Sequence, residues 1–289
     1  MPPNYDMDRT IGKTGVKVAA IGLGAMPLSL QARPDEPTAI KVLHAAWDHG
    51  TEFVDTADAY CLDDHDLGHN ERLIAKALAG WDGRDKIRVV TKGGCERPGG
   101  EWTVNGDPAY LRRACERSLS NLKTEAIFLY QLHAPDSKCF VASVGELSKM
   151  QREGKILHIG ISNVDLSQLR AAQRIARIES IQNRFNPFEK GAWEKGLIRT
   201  CEEEGLTFIS HSPVGGHMGH VKKRGHPLFR ELARKYSVSS YCVMLRWHLQ
   251  KSECILPIPG ASKISSATDS TQALKFELEA SDMERIDAL

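Results

Sequence analysis

Four side chains in this sequence sit where apolar segments stop, and together they could hand a proton to an oxygen. Asp55 ends the run EFVD, and Tyr60 follows five residues on, in FVDTADAY. Lys92 ends IRVVTK, and His133 follows AIFLYQL. A phenol with its ordinary pKa of about 10 is a poor donor at neutral pH unless a nearby cation stabilises the phenolate. Lys92 would supply the cation, Asp55 would keep the ammonium charged and oriented, and His133 would donate a hydrogen bond to a carbonyl oxygen. Such a site protonates an oxygen that gains negative charge, as carbonyl reduction by hydride requires. Positioned proton transfer of this kind contributes roughly 10²–10⁴-fold. No side chain carries hydride, so a nicotinamide cofactor is implied.

These residues need a scaffold that brings distant segments to one face. Strand candidates lie at 18–23, 52–55, 87–92, 126–132, 156–162, 180–183, 206–210 and 254–259, and amphipathic stretches separate them. EPTAIKVLHAAWDHG carries Ile40, Leu43, Ala46 and Trp47 at helical spacing, and Gly50 closes it. Nearly all-apolar strands, each followed by a helix, point to parallel strands covered by helices. Eight such units in 289 residues indicate a closed (β/α)8 TIM barrel formed as a single domain over 1–289, with an open doubly wound sheet as the alternative. RTIGKTGVKV, with Gly12 and Gly15, reads as a β-hairpin closing the bottom of the barrel. Gly22 and Gly24 do not make a dinucleotide fingerprint, because the third glycine is absent and Pro27 interrupts the helix it would open.

In a barrel the loops after the strands form the active face. The fifth strand candidate ends in Ser162-Asn163, the sixth in Gln182-Asn183 and the seventh in His211-Ser212. With Asp55, Lys92 and His133, six consecutive strands end in polar residues that a structural core would not choose. A single histidine at a strand end is more often structural, so the weight lies in the coincidence.

Composition narrows the partners. A net charge of +1 with 26% charged residues gives no reason to expect nucleic acid or a membrane surface. MPPNYDMDRT lacks the apolar core of a signal peptide, and no apolar run reaches the roughly 20 residues a membrane span needs. Seven dispersed cysteines without a CxxC pair read as free thiols in the cytoplasm. His217, His220 and His226 lie close in sequence but lack the spacing of a metal site, so no metal is expected.

The ordered motifs resemble those of the aldo-keto reductase superfamily nearly end to end. FVDTADAY, VVTKGG, QLHAPD, GKILHIGISN, IQNRFNPF, ISHSPVGG and ILPIPGASK follow one another as that family's motifs do. The resemblance implies Tyr60 as general acid, Lys92 and Asp55 as its tuning pair, and His133 as the group that orients the substrate. It also implies Ser162, Asn163 and Gln182 around the nicotinamide carboxamide and Ser212 at the pyrophosphate. His211 stands where the family often has a tyrosine that stacks on the nicotinamide.

Members of that family often carry a lysine and then an arginine after the last strand to grip the cofactor's 2′-phosphate. Here Gly260 and Ser266 stand at those places, leaving Lys263 as the cation, with Ser262 able to hydrogen-bond. NADPH is the expected cofactor and NADH is possible, since loss of a guanidinium removes a bidentate contact. The substrate would be a small carbonyl or alcohol, with Met26 and Trp102 as pocket walls and Cys61 nearby. The basic run Lys222-Lys223-Arg224 reads as part of a loop that helps to cover the phosphates. The expected oligomeric state is a monomer or a weak homo-oligomer. The alternative function is a cofactor-binding regulatory subunit like the potassium-channel β subunits. Glycoside hydrolysis is disfavoured, because it wants two facing carboxylates and the strand ends offer one.

Overall fold

The computed structural model describes residues 7–289, and within them the side chains of His217, Met218 and His220 are not described. Eight strands pair in parallel: β1 (Leu23–Gly24), β2 (Phe53–Asp55), β3 (Arg88–Gly93), β4 (Ile127–Leu132), β5 (Ile156–Ser162), β6 (Ile178–Arg184), β7 (Thr207–His211) and β8 (Ile255–Pro257). Each neighbours the next along the chain. The amides of Gly22 and Gly24 donate to the carbonyls of Pro257 and Pro259, both at 3.0 Å, which joins β8 to β1 and closes the barrel. A Cβ at Gly24 would come within 2.9 Å of the Ile258 carbonyl oxygen, so glycine is required where the seam closes.

The helices α1 (Glu36–Asp48), α2 (His69–Ala79), α3 (Pro108–Leu122), α4 (Phe140–Arg152) and α5 (Leu166–Gln173) follow their strands as the periodicity indicates. Several begin on designed caps. Asp35 and Asp107 accept from backbone amides in the first turns of α1 and α3, and Asp165 forms a capping box with Gln168 on α5. The inner barrel core includes Phe53, Val90, Leu129, Ile209 and Leu256, all fully buried. Both faces of the strands are covered, which explains their continuous apolar runs.

The N-terminal hairpin pairs Asp8–Thr10 with Lys17–Ala19, and Ile11 packs into the bottom of the core. This corrects the expected first strand at 18–23. Val18-Ala19 belongs to the hairpin, and only Leu23–Gly24 enters the barrel. Alternation could not separate them, because the Ala20 amide donates to the Met7 carbonyl while the Gly22 amide turns to Pro257.

After β6 come α6 (Gly191–Glu194) and α7 (Leu197–Glu204), and after β7 come α8 (Gly216–Arg224), α9 (Pro227–Tyr236) and α10 (Ser240–Lys251). The chain ends with α11 (Ile264–Thr271) and α12 (Ala280–Asp287). The basic run is therefore helical, in α8, where a loop was expected. The loop after β3 folds back as a short hairpin, Cys95–Glu96 against Thr103–Val104. Among the described residues no helix is long and apolar enough to cross a membrane.

Candidate active site

Strand ends at the C-terminal face bring Asp55, Tyr60 and Lys92 into contact. Lys92 Nζ donates to Asp55 Oδ1 at 2.6 Å, to the Thr56 carbonyl at 2.8 Å and to Tyr60 Oη at 3.0 Å. All three ammonium hydrogens thus have an acceptor, and the side chain is fully buried. Asp55 Oδ2 accepts from Gln182 Nε2 at 2.6 Å and from Gln131 Nε2 at 3.4 Å. A buried ion pair is tolerable only when its remaining lone pairs are satisfied, and β4 and β6 provide for that.

The electrostatics differ in one respect from the expectation that Lys92 brings the phenol down. Burial raises the Tyr60 pKa and Asp55 adds to it, and together they outweigh the pull of Lys92. The phenol is therefore a protonated donor at neutral pH. Burial alone would lower the Lys92 pKa, but Asp55 and Tyr60 hold it above the ordinary value.

The His133 ring lies edge-on to Tyr60, with centroids 5.7 Å apart. Burial and then the Lys92 charge push its pKa well below the usual value, which keeps the imidazole neutral. Trp102 meets both rings edge-on, 6.4 Å from Tyr60 and 5.9 Å from His133. The Trp102 indole therefore stands over the mouth rather than folded away on the barrel.

A cleft of about 1250 Å³ runs across the barrel mouth. Asp55, Tyr60, His133, Met26 and Trp102 line one end, and Ser162, Asn163, Gln182 and His211 line its floor. Ser212, Ser262 and Lys263 line the remainder. Lys92 lies beneath, and Cys61 is buried outside the lining, while Cys95 takes a place on the wall. Asn163 and Ser212 follow their strands at φ values of 59° and 55°, left-handed conformations that turn the chain across the mouth.

On the floor, Ser162 Oγ donates to the Gln182 carbonyl at 2.7 Å, and Asn163 Nδ2 donates to the His133 carbonyl at 2.9 Å. His211 Nε2 lies 3.3 Å from Asn163 Oδ1, and its Nδ1 lies 3.2 Å from Ser212 Oγ. Burial, then Arg184 and Lys92, lower the His211 pKa to about 3, so this imidazole is also neutral. A neutral ring has one N–H, and the amide oxygen of Asn163 demands it on Nε2, leaving Nδ1 to accept from Ser212.

Sequence reading named Lys223 and Arg224, which line the cleft, but not their neighbours at the far rim. Lys223 on α8 reaches Glu189 Oε2 at 2.5 Å across the loop after β6, and Arg184, Glu189 and Tyr241 line the cleft there. Only the helix spacing of α8 could have indicated that bridge. Asp269 on α11 lines the cleft and accepts from Ser239 Oγ at 2.6 Å. Among the described residues no three His, Cys, Asp or Glu side chains converge as a metal site. His226 packs on Phe188 and Phe229, whereas the side chains of His217 and His220 lie outside the described residues.

The comparisons agree with this architecture. The sequence model of the Aldo/keto reductase family matches residues 20–289. A relative named "Probable aldo-keto reductase 1" from Glycine max is 30% identical over 306 aligned positions, covering 96% of this chain and 86% of the relative. In fold, the chain is similar to a glycerol dehydrogenase from Gluconobacter oxydans, with a TM-score of 0.84 at 23% identity over 98% of this chain and 94% of that one. It is also similar to an aldo/keto reductase from Klebsiella pneumoniae in complex with NADP and acetate, with a TM-score of 0.81 at 24% identity over 98% and 94% of the two chains.

Proposed function

The chain belongs to the aldo/keto reductase family, and from that premise we propose that it reduces a small aldehyde or ketone with NAD(P)H, Tyr60 giving the proton. The observation that carries this reading is the triangle in which Lys92 Nζ joins Asp55 and Tyr60 beneath the cleft. The bound nicotinamide supplies the hydride, and the residues of this chain do the rest. The substrate carbonyl is received between Tyr60 Oη and the neutral His133 ring. As its oxygen gains charge, Tyr60 transfers its proton, and the Lys92 ammonium stabilises the phenolate left behind. Asp55 keeps that ammonium charged throughout. In the reverse direction the same phenolate takes the proton of an alcohol.

The cleft fits an extended dinucleotide. Gln182 commits its amide nitrogen to Asp55, and no described residue bonds its oxygen, which is therefore open to a carboxamide N–H. Ser162 and Asn163 flank the same position, and neutral His211 offers a flat face for the ring. Ser212 and the N-terminal turn of α8 suit the pyrophosphate. Lys263 and Ser262 suit the adenosine phosphate, where Ser266 leaves no guanidinium on α11. NADPH is the cofactor we favour, as in the Klebsiella complex with NADP, with NADH the second choice. Satisfied partners around Lys92 argue for a working acid rather than a purely regulatory binding module. We place the enzyme in the cytoplasm as a single-domain monomer or weak homo-oligomer.

Fluorescence titration of the purified protein with NADPH and NADH tests the reading without knowledge of the substrate. Binding of at least one cofactor, followed by oxidation of the reduced form in the presence of an aldehyde, is expected. Binding of neither would overturn it.

A further inference from the structure

Arg97 is a cation without an anion. Its side chain is 5% exposed, and Nη2 donates to the Leu62 carbonyl at 3.1 Å. Nε and Nη1 are buried with no hydrogen-bond partner, and no carboxylate among the described residues forms an ion pair with it. The acids that follow its acceptor Leu62 in the chain are engaged elsewhere. Asp66 binds Arg33 at 2.5 Å, Asp64 accepts from the Gly99 amide at 3.3 Å, and Asp63 accepts from the His65 amide at 3.0 Å. A buried guanidinium left in this state is costly, and most such groups are satisfied.

Its position ties it to the catalytic end of the cleft. The guanidinium stacks on the Trp102 indole, 4.3 Å from the ring centroid, and Trp102 in turn meets Tyr60 and His133. Trp102 lines the cleft and Arg97 does not, so the indole stands between the cation and the cleft. That indole is 46% exposed, on a hairpin whose flanks include Gly99 at φ 56° and Gly100 at φ 89°. Turning this half-exposed indole aside would cost its stacking on Arg97 and its edge contacts.

Whichever Nη2 hydrogen Leu62 takes, one two-pronged edge of the guanidinium remains free, either Nε with Nη2 or Nη1 with Nη2. That edge matches the paired oxygens of a carboxylate or a phosphate. We propose that the carbonyl substrate bears an oxyanion a few bonds from its reacting carbon, bound by Arg97 once Trp102 swings aside. This rests on the carbonyl-reductase reading above and narrows its substrate class to anionic aldehydes and ketones.

The test compares matched pairs with the intact protein and saturating NADPH: butanal against 4-oxobutanoate, and glyceraldehyde against glyceraldehyde 3-phosphate. The readout is the ratio of kcat/KM for the charged over the neutral member of each pair. In the native protein one ratio is expected to be about tenfold or more. The carboxylate pair and the phosphate pair then tell which oxyanion is meant. Arg97→Met should bring the ratio to near one, and Arg97→Lys should restore part of it. A native ratio near one in both pairs overturns the proposal. So does an Arg97→Met variant that loses both members in proportion, since Arg97 would then only prop Trp102. Turnover of butanal or glyceraldehyde without charge preference sinks this inference alone. Failure to turn over all four, with no cofactor bound, sinks the underlying reductase reading as well.

Discussion

Lys92 Nζ lies 3.0 Å from Tyr60 Oη; the ammonium is fully buried, whereas the phenol lines the cleft. A proton held on that phenol can leave only toward the cleft, because the other side of the oxygen is occupied by a fully bonded ammonium. Replacing Tyr60 with Phe removes the donor and keeps the ring in its packing with Trp102 and His133. The kcat for carbonyl reduction should fall by ~10² or more, whereas the dissociation constant of NADPH should barely move. Steady-state kinetics beside a fluorescence titration separates the two. A Tyr60→Phe variant with native turnover would mean that the acid has been misassigned.

The ion pair of Asp55 and Lys92 makes a different demand, on stability. Lys92→Met strands a carboxylate that is 1% exposed, and breaking a buried pair from one side costs about 3–5 kcal/mol. Replacing both, Asp55→Asn with Lys92→Met, leaves no buried charge and should recover most of that loss without recovering activity. Urea denaturation of the single and double variants checks this. If the double variant is as unstable as the sum of the singles, the two residues are not coupled as the geometry indicates.

Much of this site was legible in the sequence because chemistry there depends on residue type at the end of a strand. Asp55, Lys92 and His133 stand out as polar interruptions of apolar runs, and a barrel brings strand ends together whatever the details of packing. The barrel itself followed from alternation of buried strands with amphipathic helices. What stayed hidden depends on three-dimensional neighbours that local pattern does not encode. The split between Val18-Ala19 and Leu23–Gly24 is set by which carbonyl each amide meets across the seam. Helix α8 carries two glycines in its first turn, Gly216 and Gly219 of Gly216–Arg224, with a third, Gly215, at its cap, so propensity argued for a loop. The net rise in the Tyr60 pKa is a contest between burial and one cation, and no sequence states how deeply a residue is buried.

Neutral His133 and His211 shape the pH profile. Burial keeps His133 well below its ordinary 6.5 and brings His211 to about 3. Burial likewise holds Tyr60 above its ordinary 10.0. The kcat/KM for reduction should therefore show no step near the usual imidazole value and hold level up to about pH 9. At higher pH the phenol deprotonates and reduction falls, while alcohol oxidation rises. An acid limb near pH 6.5 that disappears in His133→Gln would contradict the neutral assignment.

Behind the site, Asp58 should govern how stability responds to alkali. It is 1% exposed, with Arg117 Nη2 3.7 Å away and Glu71 close enough to oppose its charge. Burial, then Glu71, raises its carboxyl pKa well above the ordinary value. A folded pKa above the unfolded one means that the folded chain binds the proton more tightly. That contribution is fully present below the unfolded value of about 4 and is lost as pH rises through the folded value. Asp58→Asn keeps the shape and removes the titration. Relative to the native protein, it should gain stability progressively as pH rises above the unfolded value of about 4 and lose that advantage below it. Thermal melts of both proteins on both sides of that value provide the measurement. An Asp58→Asn variant less stable at pH 8 than at pH 4, relative to the native chain, would show that Asp58 is held ionised by Arg117 instead.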